Sequence, residues 1–167
     1  MSNLQRTLVV LKPDTIWRSI IWEIISRFER AGLHIVAMKM VKPEKEFLHH
    51  HYETIGKVLS RHWQKVFDIT LKMMMQNPVV AIVIEWVESV EYVRKLVWST
   101  EPKSAAPGTI RWDYAHMSYA YADSVSMGIP NLVHASGNKE EAEEEIKHRF
   151  SESELYLYEP IHSKFTR

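Results

Sequence analysis

The sequence predicts an α+β sandwich, a four-stranded antiparallel sheet with helices packed on it. Two observations lead there. Four short apolar runs, mostly rich in β-branched residues, are separated by amphipathic stretches with helical spacing, in the order β-α-β-α-α-β-α-β-α. Two of the crossovers carry helices, as a ferredoxin-like topology requires.

The first run, Thr7-Leu8-Val9-Val10-Leu11, is ended by Lys12-Pro13-Asp14 and is expected to be a buried strand that projects a lysine from its end. Ile21, Ile24, Ile25 and Phe28 then recur at helical spacing, with Gly32 as the stop. Leu33 to Val41 is the second strand, closed by Pro43, and Glu44 to Tyr52 a short helix. A longer helical stretch follows from about Lys57 to Met75, with Leu59, Val66, Ile69 and Met73 expected inside. Pro78 opens the third strand, Val79 to Ile84. Val90, Val93 and Val97 form the stripe of the next helix, beside Arg94. Thr100 to Ile110 holds Pro102, Pro107 and Gly108 and is expected to be a loop, and Trp112 to Pro130 to be largely irregular. Leu132 and Val133 make a short last strand that reaches His134. Asn138, with Glu141 three residues on, has the capping-box pattern for a final helix whose inner face is Ala142, Ile146 and Phe150. The tail from Ser151 has room for one more helical turn before an extended end.

The 167 residues fit one domain, 1–167. No apolar run approaches the ~18 residues of a membrane span, and the polar start is not a signal peptide. No cysteine is present, which excludes disulfides and thiolate metal sites and fits a reducing, cytoplasmic setting. Twenty-one basic residues balance twenty-one acidic ones, against the basic excess of a nonspecific nucleic-acid binder. The five glycines are isolated, so no glycine-rich phosphate loop of the common types can be written. Any phosphate site must come from a few converging cations.

Among nine histidines, the run His49-His50-His51 is expected to be a solvated patch, because helix neighbours one apart do not face each other. His134 differs in its company. It ends a strand, and Glu145 on the following helix borders the inward stripe, where an unpartnered carboxylate is costly. A Glu145–His134 hydrogen bond would satisfy both, fix the ring's tautomer and leave the other nitrogen free to attack. The same pattern also fits a satisfied structural histidine. Lys12, Arg94 and Arg111, with Thr100 and Asn131, are the residue types that recognise polyphosphate, although surface ion pairs would account for each cation singly.

These residues resemble the nucleoside diphosphate kinase family over nearly the whole chain. The resemblance is carried by Thr7 to Asp14, His51-Tyr52, Pro78 to Ala81, Thr100-Glu101-Pro102, Pro107 to Arg111 and Asn131-Leu132-Val133-His134-Ala135-Ser136. It implies a ping-pong transfer of the γ-phosphate of a nucleoside triphosphate, typically ATP, to a diphosphate through a phosphohistidine. His134 would be the nucleophile and Glu145 the carboxylate that orients it. Lys12 and Tyr52 would lie near the γ-phosphate with Ser136 close by, Arg94, Thr100 and Arg111 on the phosphates, and Asn131 on sugar and phosphate. Mg2+ would travel with the nucleotide, with no metal held by the protein itself. The fold implied is the ferredoxin-like sandwich, and the assembly a homo-oligomer, hexamer or tetramer. No membrane or nucleic-acid partner is expected.

The chain also departs from the pattern. Segments at about 57–75 and 114–130 are longer than the family core. The family sets an aromatic ring against the base in the first, where Trp63 and Phe67 are the candidates. The second is expected to be a surface excursion, with a lid over the site as the alternative. Trp112 replaces a common glycine, and Gly137 a usual acidic residue. Two other readings compete: a catalytically weak nucleotide-binding or regulatory protein on the same fold, and an RNA-binding ferredoxin-like module. The aliphatic third strand and zero net charge argue against the RNA module.

Overall fold

Strands β1 (Leu4–Leu11), β2 (His34–Val41), β3 (Val79–Val87) and β4 (Val133–Ala135) form one sheet in the order β2-β3-β1-β4. They are taken from a computed structural model that describes residues 3–55 and 64–166. Every pairing is antiparallel, which gives the expected ferredoxin-like sandwich. The central pair β1 and β3 carries the apolar runs because both of its faces are covered. Along β1 the side chains alternate between two cores. Val9 and Leu11 join Ile82 and Ile84 of β3 on one face, and Leu8 and Val10 join Ala81 and Val83 on the other.

The first core is closed by Ile24, Ile25 and Phe28 of α2 (Ile21–Arg30), with Val93 and Val97 of the helix Ser89–Val97. Each fully buried Ile or Phe here contributes about 1.5–3 kcal/mol. The second is closed by Leu48 of α3 (Lys45–His49), by Tyr52 in the π-helical turn His50–Ile55, and by α4 (Gln64–Met74). Ile146 and Phe150, on and just after the helix Lys139–Arg149, complete it. Numbering in chain order, α1 is Pro13–Trp17, α5 Ser89–Val97, α6 Ile110–Tyr114, α7 Tyr119–Ser124, α8 Lys139–Arg149 and α9 Ser163–Thr166.

Three segments differ from expectation. In α4 the buried residues are Phe67, Leu71 and Met74; Val66 and Ile69 face a cleft, Met73 lines that cleft while packing against the second core, and Leu59 lies outside the described residues. The helix has an apolar stripe on each of two neighbouring faces, so periodicity alone could not fix which one points inward. Residues 110–124 hold two short helices, α6 and α7, where irregular chain was expected. Ser118 caps α7 by accepting from the Tyr121 N–H. At α8, Asn138 accepts from the Glu141 N–H as the pattern requires, but the Glu141 carboxylate takes the Gly137 N–H at 3.1 Å. Only half of the capping box forms.

β4 is short and its entry is sharply turned. Leu132, with φ 69°, sits in the left-handed region that branched residues avoid. Its N–H donates to Asp14 Oδ2 at 2.9 Å, and its carbonyl accepts from the Lys12 N–H and from Thr15 Oγ1. The start of α1 therefore clamps the corner from which His134 emerges.

Candidate active site

In the β1–β4 register Val10 lies opposite His134, so the imidazole shares the face on which Val10 and α8 pack. There Nε2 of His134 meets Glu145 Oε1 at 2.8 Å, the hydrogen bond anticipated from the stripe of α8. The second oxygen, Oε2, accepts from Ser136 Oγ at 2.6 Å, and that hydroxyl in turn accepts from the Leu8 N–H. Glu145 is 2% exposed. Burial pushes its carboxyl up, but the bonds from His134 and Ser136 and the nearby Arg149 outweigh it and hold the pKa below the usual range. An ionised Glu145 can only accept, so the proton of a neutral His134 lies on Nε2 and the lone pair on Nδ1.

The cleft above this pair, about 1000 Å³, is lined by Lys12, Tyr52, Arg94, Thr100, Arg111, Asn131 and His134. Lys12 Nζ donates to Asn131 Oδ1 at 2.7 Å, and the Asn131 amide donates to the Thr100 carbonyl. Burial first, then Arg111, brings the Lys12 ammonium down to about 8, with Asp14 opposing. Arg94 reaches the Ser136 carbonyl at 3.5 Å. Arg111 is more deeply set. Its guanidinium binds the carbonyls of Asn131, Trp98 and Val133, tying the loop after α5 to β4. Among the described residues none of these three cations is paired with a carboxylate. Tyr52 is buried beneath the cleft, and burial raises its phenol far above its ordinary value, so it stays neutral.

The other end of the cleft is apolar. Val66, Ile69, Thr70 and Met73 of α4 face Ala122, Met127, Gly128 and Ile129, so the segment 114–130 is a wall of the cleft, not a surface excursion. Phe67 is placed elsewhere: its ring is buried in the second core, one helix face away, and is not available to stack on a ligand. Trp63 lies outside the described residues. Trp112 is half-exposed on α6, away from the cleft lining, and does not crowd it. A Cβ on Gly137 would lie 2.5 Å from Glu141 Oε2, so in this chain the carboxylate of Glu141 fills the space an acidic side chain at 137 would need.

The histidine run does not behave as a patch. His49 and His50 are exposed, but His51 lies on the inward face with Leu48 and Tyr52 and is 2% exposed. Its ring stands edge-on to His134, with centroids 5.0 Å apart. Leu48, His51 and Tyr52 stand at i, i+3 and i+4, the spacing of one buried helix face, a signal that treating the three histidines as a single run overlooks. Asp14, Thr15 and Trp98 were likewise missed. They act through backbone bonds that side-chain type does not announce.

The chain matches the family model "Nucleoside diphosphate kinase" over residues 5–155. The nucleoside diphosphate kinase of Borreliella burgdorferi is 41% identical over 155 residues, covering 93% of this chain and 92% of the relative. That of Pyrococcus horikoshii is 44% identical over 159 residues, covering 95% and 92%. Among solved structures, a transition-state mimic of the Borrelia burgdorferi enzyme with bound vanadate and ADP superposes with a TM-score of 0.92 at 39% identity, covering 96% of this chain and 95% of that one. The Pyrobaculum aerophilum enzyme gives 0.84 at 36% identity, covering 92% and 100%. With this fold, this histidine–carboxylate pair and these matches over almost its full length, the chain belongs to the nucleoside diphosphate kinase family.

Proposed function

We propose that this phosphotransferase works through His134. The observation that carries the assignment is the surround of Nδ1: an imidazole braced from behind by a buried carboxylate faces a cleft in which Lys12, Arg94 and Arg111 have no carboxylate partner among the described residues. In the first half-reaction Nδ1 attacks the γ-phosphorus of a nucleoside triphosphate. The Nδ1–P bond forms, the bond to the β-phosphate oxygen breaks, and the diphosphate leaves with the electron pair. In the second, a β-phosphate oxygen of another diphosphate attacks the phosphohistidine and restores the lone pair. Phosphoryl transfer asks for in-line positioning and for charge aimed at the equatorial oxygens. Lys12, Arg94 and Arg111 supply the charge, Thr100 and Asn131 neutral donors, and Tyr52 a neutral hydroxyl beside the site. As the transferred phosphate draws electrons from the ring, the Nε2–H becomes more acidic and its bond to Glu145 strengthens.

Mg2+ fits as a passenger on the nucleotide. The described carboxylates lining the cleft are Glu91, tied to Lys95 at 2.6 Å, and Asp123, so phosphate oxygens and water would supply most of its ligands. The ion would spread the charge of the transferring group. The ADP and vanadate bound by the Borrelia burgdorferi enzyme support the same reading of this cleft. We place the base in the apolar end between α4 and Met127–Ile129, and the activity in the cytoplasm. We also propose a homo-oligomer, hexamer or tetramer. Its basis is a β2 edge that the tail meets only at Ile35 and Val36, beside a groove lined by Trp22, Met38 and Met40, all exposed.

The decisive experiment is incubation with γ-labelled ATP, followed by a chase with GDP or CDP. Acid-labile, alkali-stable label should form on His134, leave as the new triphosphate, and be absent from His134→Asn. Nucleotide binding by the wild type without label would sink the proposal in favour of a regulatory protein.

A further inference from the structure

His51 is the buried titratable group that the proposed mechanism leaves unused. Its Nε2 lies 3.7 Å from Glu145 Oε1, the same oxygen that His134 Nε2 meets at 2.8 Å. The three ligand atoms all fall within 4.8 Å of one another. Two imidazole nitrogens and one carboxylate oxygen are the donor set of zinc and similar borderline metals, and hard Mg2+ keeps to oxygen. Zinc bonds of about 2.0–2.2 Å to N and O place neighbouring ligands of a tetrahedral ion roughly 3.3 Å apart. The 2.8 and 3.7 Å separations lie on either side of that value, and all three atoms lie within 4.8 Å, so capture requires the two rings to close on the ion.

His51 is ready to be a ligand. Burial, followed by the charges of His134 and Arg149, keeps its imidazole neutral. Beside an ionised Glu145 the proton of the metal-free ring sits on Nε2, so coordination moves it to Nδ1, which has no hydrogen-bond partner of its own among the described residues.

We propose that His51, His134 and Glu145 form a capture site for a zinc-class divalent ion, and that filling it switches phosphotransfer off. The inference rests on His134 as nucleophile, and the proton count shows why the two events exclude each other. A neutral His134 carries one proton, on Nε2. Coordination takes the Nε2 lone pair, so that proton must pass through solvent to Nδ1, the attacking atom. No proton is gained or lost overall, yet the nucleophilic lone pair is gone. Glu145 exchanges its hydrogen bond for a metal bond in the same step.

The test uses the full chain, stripped with chelator and free of nucleotide. ZnCl2 titrated in a calorimeter should bind at one ion per chain, and Co2+ should develop the visible bands of a low-coordinate site. His51→Gln should weaken zinc binding at least tenfold and lose the cobalt spectrum, whereas His50→Gln, on the exposed neighbour, should keep both. If His51→Gln does not fold, His134→Asn must show the same loss. Absence of saturable one-to-one binding, or binding that survives removal of either histidine, overturns the proposal. Labelling with γ-labelled ATP separates this from the mechanism. Normal labelling that stoichiometric zinc leaves untouched refutes the capture site alone. Zinc held by these residues in a protein that never labels refutes His134 as nucleophile.

Discussion

At the scale of single residues, Lys12 and Glu145 make opposite use of burial. The Lys12 ammonium is desolvated and stands near Arg111, which brings its pKa down to about 8. Because polyphosphate binds the charged form, the affinity for a non-hydrolysable ATP analogue, which carries the γ-position, should fall as pH rises through about 8, by at most about tenfold per pH unit for one proton. Lys12→Arg should flatten that limb, and calorimetric titration from pH 6.5 to 9.5 would reveal it. An affinity that is flat in the wild type would show that Lys12 does not meet the phosphates. For stability the sign is reversed. A depressed ammonium pKa disfavours folding below about 8, and this penalty is relieved as pH rises toward the ordinary 10.5. Glu145 is held ionised, and its folded pKa is lowered. Its contribution is present above the unfolded value of 4.5 and is lost as pH falls through the folded one. Glu145→Gln should keep the fold and still take up label, with kcat lowered about 10²-fold, because the amide stabilises the developing imidazolium poorly. An unchanged kcat would remove Glu145 from the mechanism. The His134–Glu145 pair was legible in the sequence because a carboxylate beside an apolar stripe demands a partner. His51 carried a comparable signal, three residues after Leu48 and beside Tyr52 on the inward face, but its place in a run of three histidines hid it.

At the scale of elements, the cleft is made by two segments whose faces were hard to assign. Helix α4 has apolar residues on adjacent faces, so Phe67 could be picked as a ligand-facing ring although it belongs to the core. The stretch 110–130 lacks a clear period because its two helices are only five and six residues long. They are fixed by caps and backbone bonds, such as the Tyr119 N–H to Glu101 Oε1 at 2.9 Å. The two segments meet at Gly128, where an added Cβ would lie 3.1 Å from Met73 Sδ and 3.2 Å from Ile69 Cγ2. Gly128→Val should cost about 1–3 kcal/mol by overpacking and should push the wall from α4. We expect KM for nucleoside diphosphates to rise several-fold with kcat within about twofold, since the contact is to the base and not to the reacting phosphate. Steady-state kinetics would check this, and a loss confined to kcat would place the base elsewhere. At α8 the cap is separable from the chemistry. Asn138→Ala should lower stability by about 1 kcal/mol in a denaturant melt and leave the labelling of His134 intact.

At the scale of the molecule, the sheet protects one edge and leaves the other open. β4 is three residues long, clamped by α1 and followed at once by α8. β2 is eight residues long, and on its outer side the tail contributes the Tyr156 N–H to the Val36 carbonyl and the Tyr158 hydroxyl to the Ile35 carbonyl. Beyond that point Met38 and Met40 project onto the face that α2 covers only in part, and Trp22 of α2 stands beside them. The tail itself exposes Leu157, Ile161 and Phe165. The strand order was legible because four apolar runs and two helical crossovers leave few antiparallel arrangements. The open apolar edge was not, because Met38 and Met40 alternate with Val and Lys as any strand does, and only the extent of α2 decides what stays uncovered. A long edge strand with an apolar flank invites pairing with an identical edge, which two-fold symmetry makes self-complementary. Met38→Glu combined with Met40→Glu would set like charges against each other across such a pair. Light scattering of the wild type should give a multiple of the 19.7 kDa chain mass, and the double variant should shift toward the single chain. The altered side chains lie far from His134 in the sheet order, so monomers that keep their fold should still take up label, which separates assembly from chemistry. A wild type that runs as a single chain, or a variant whose mass does not fall, would exclude β2 as the seam.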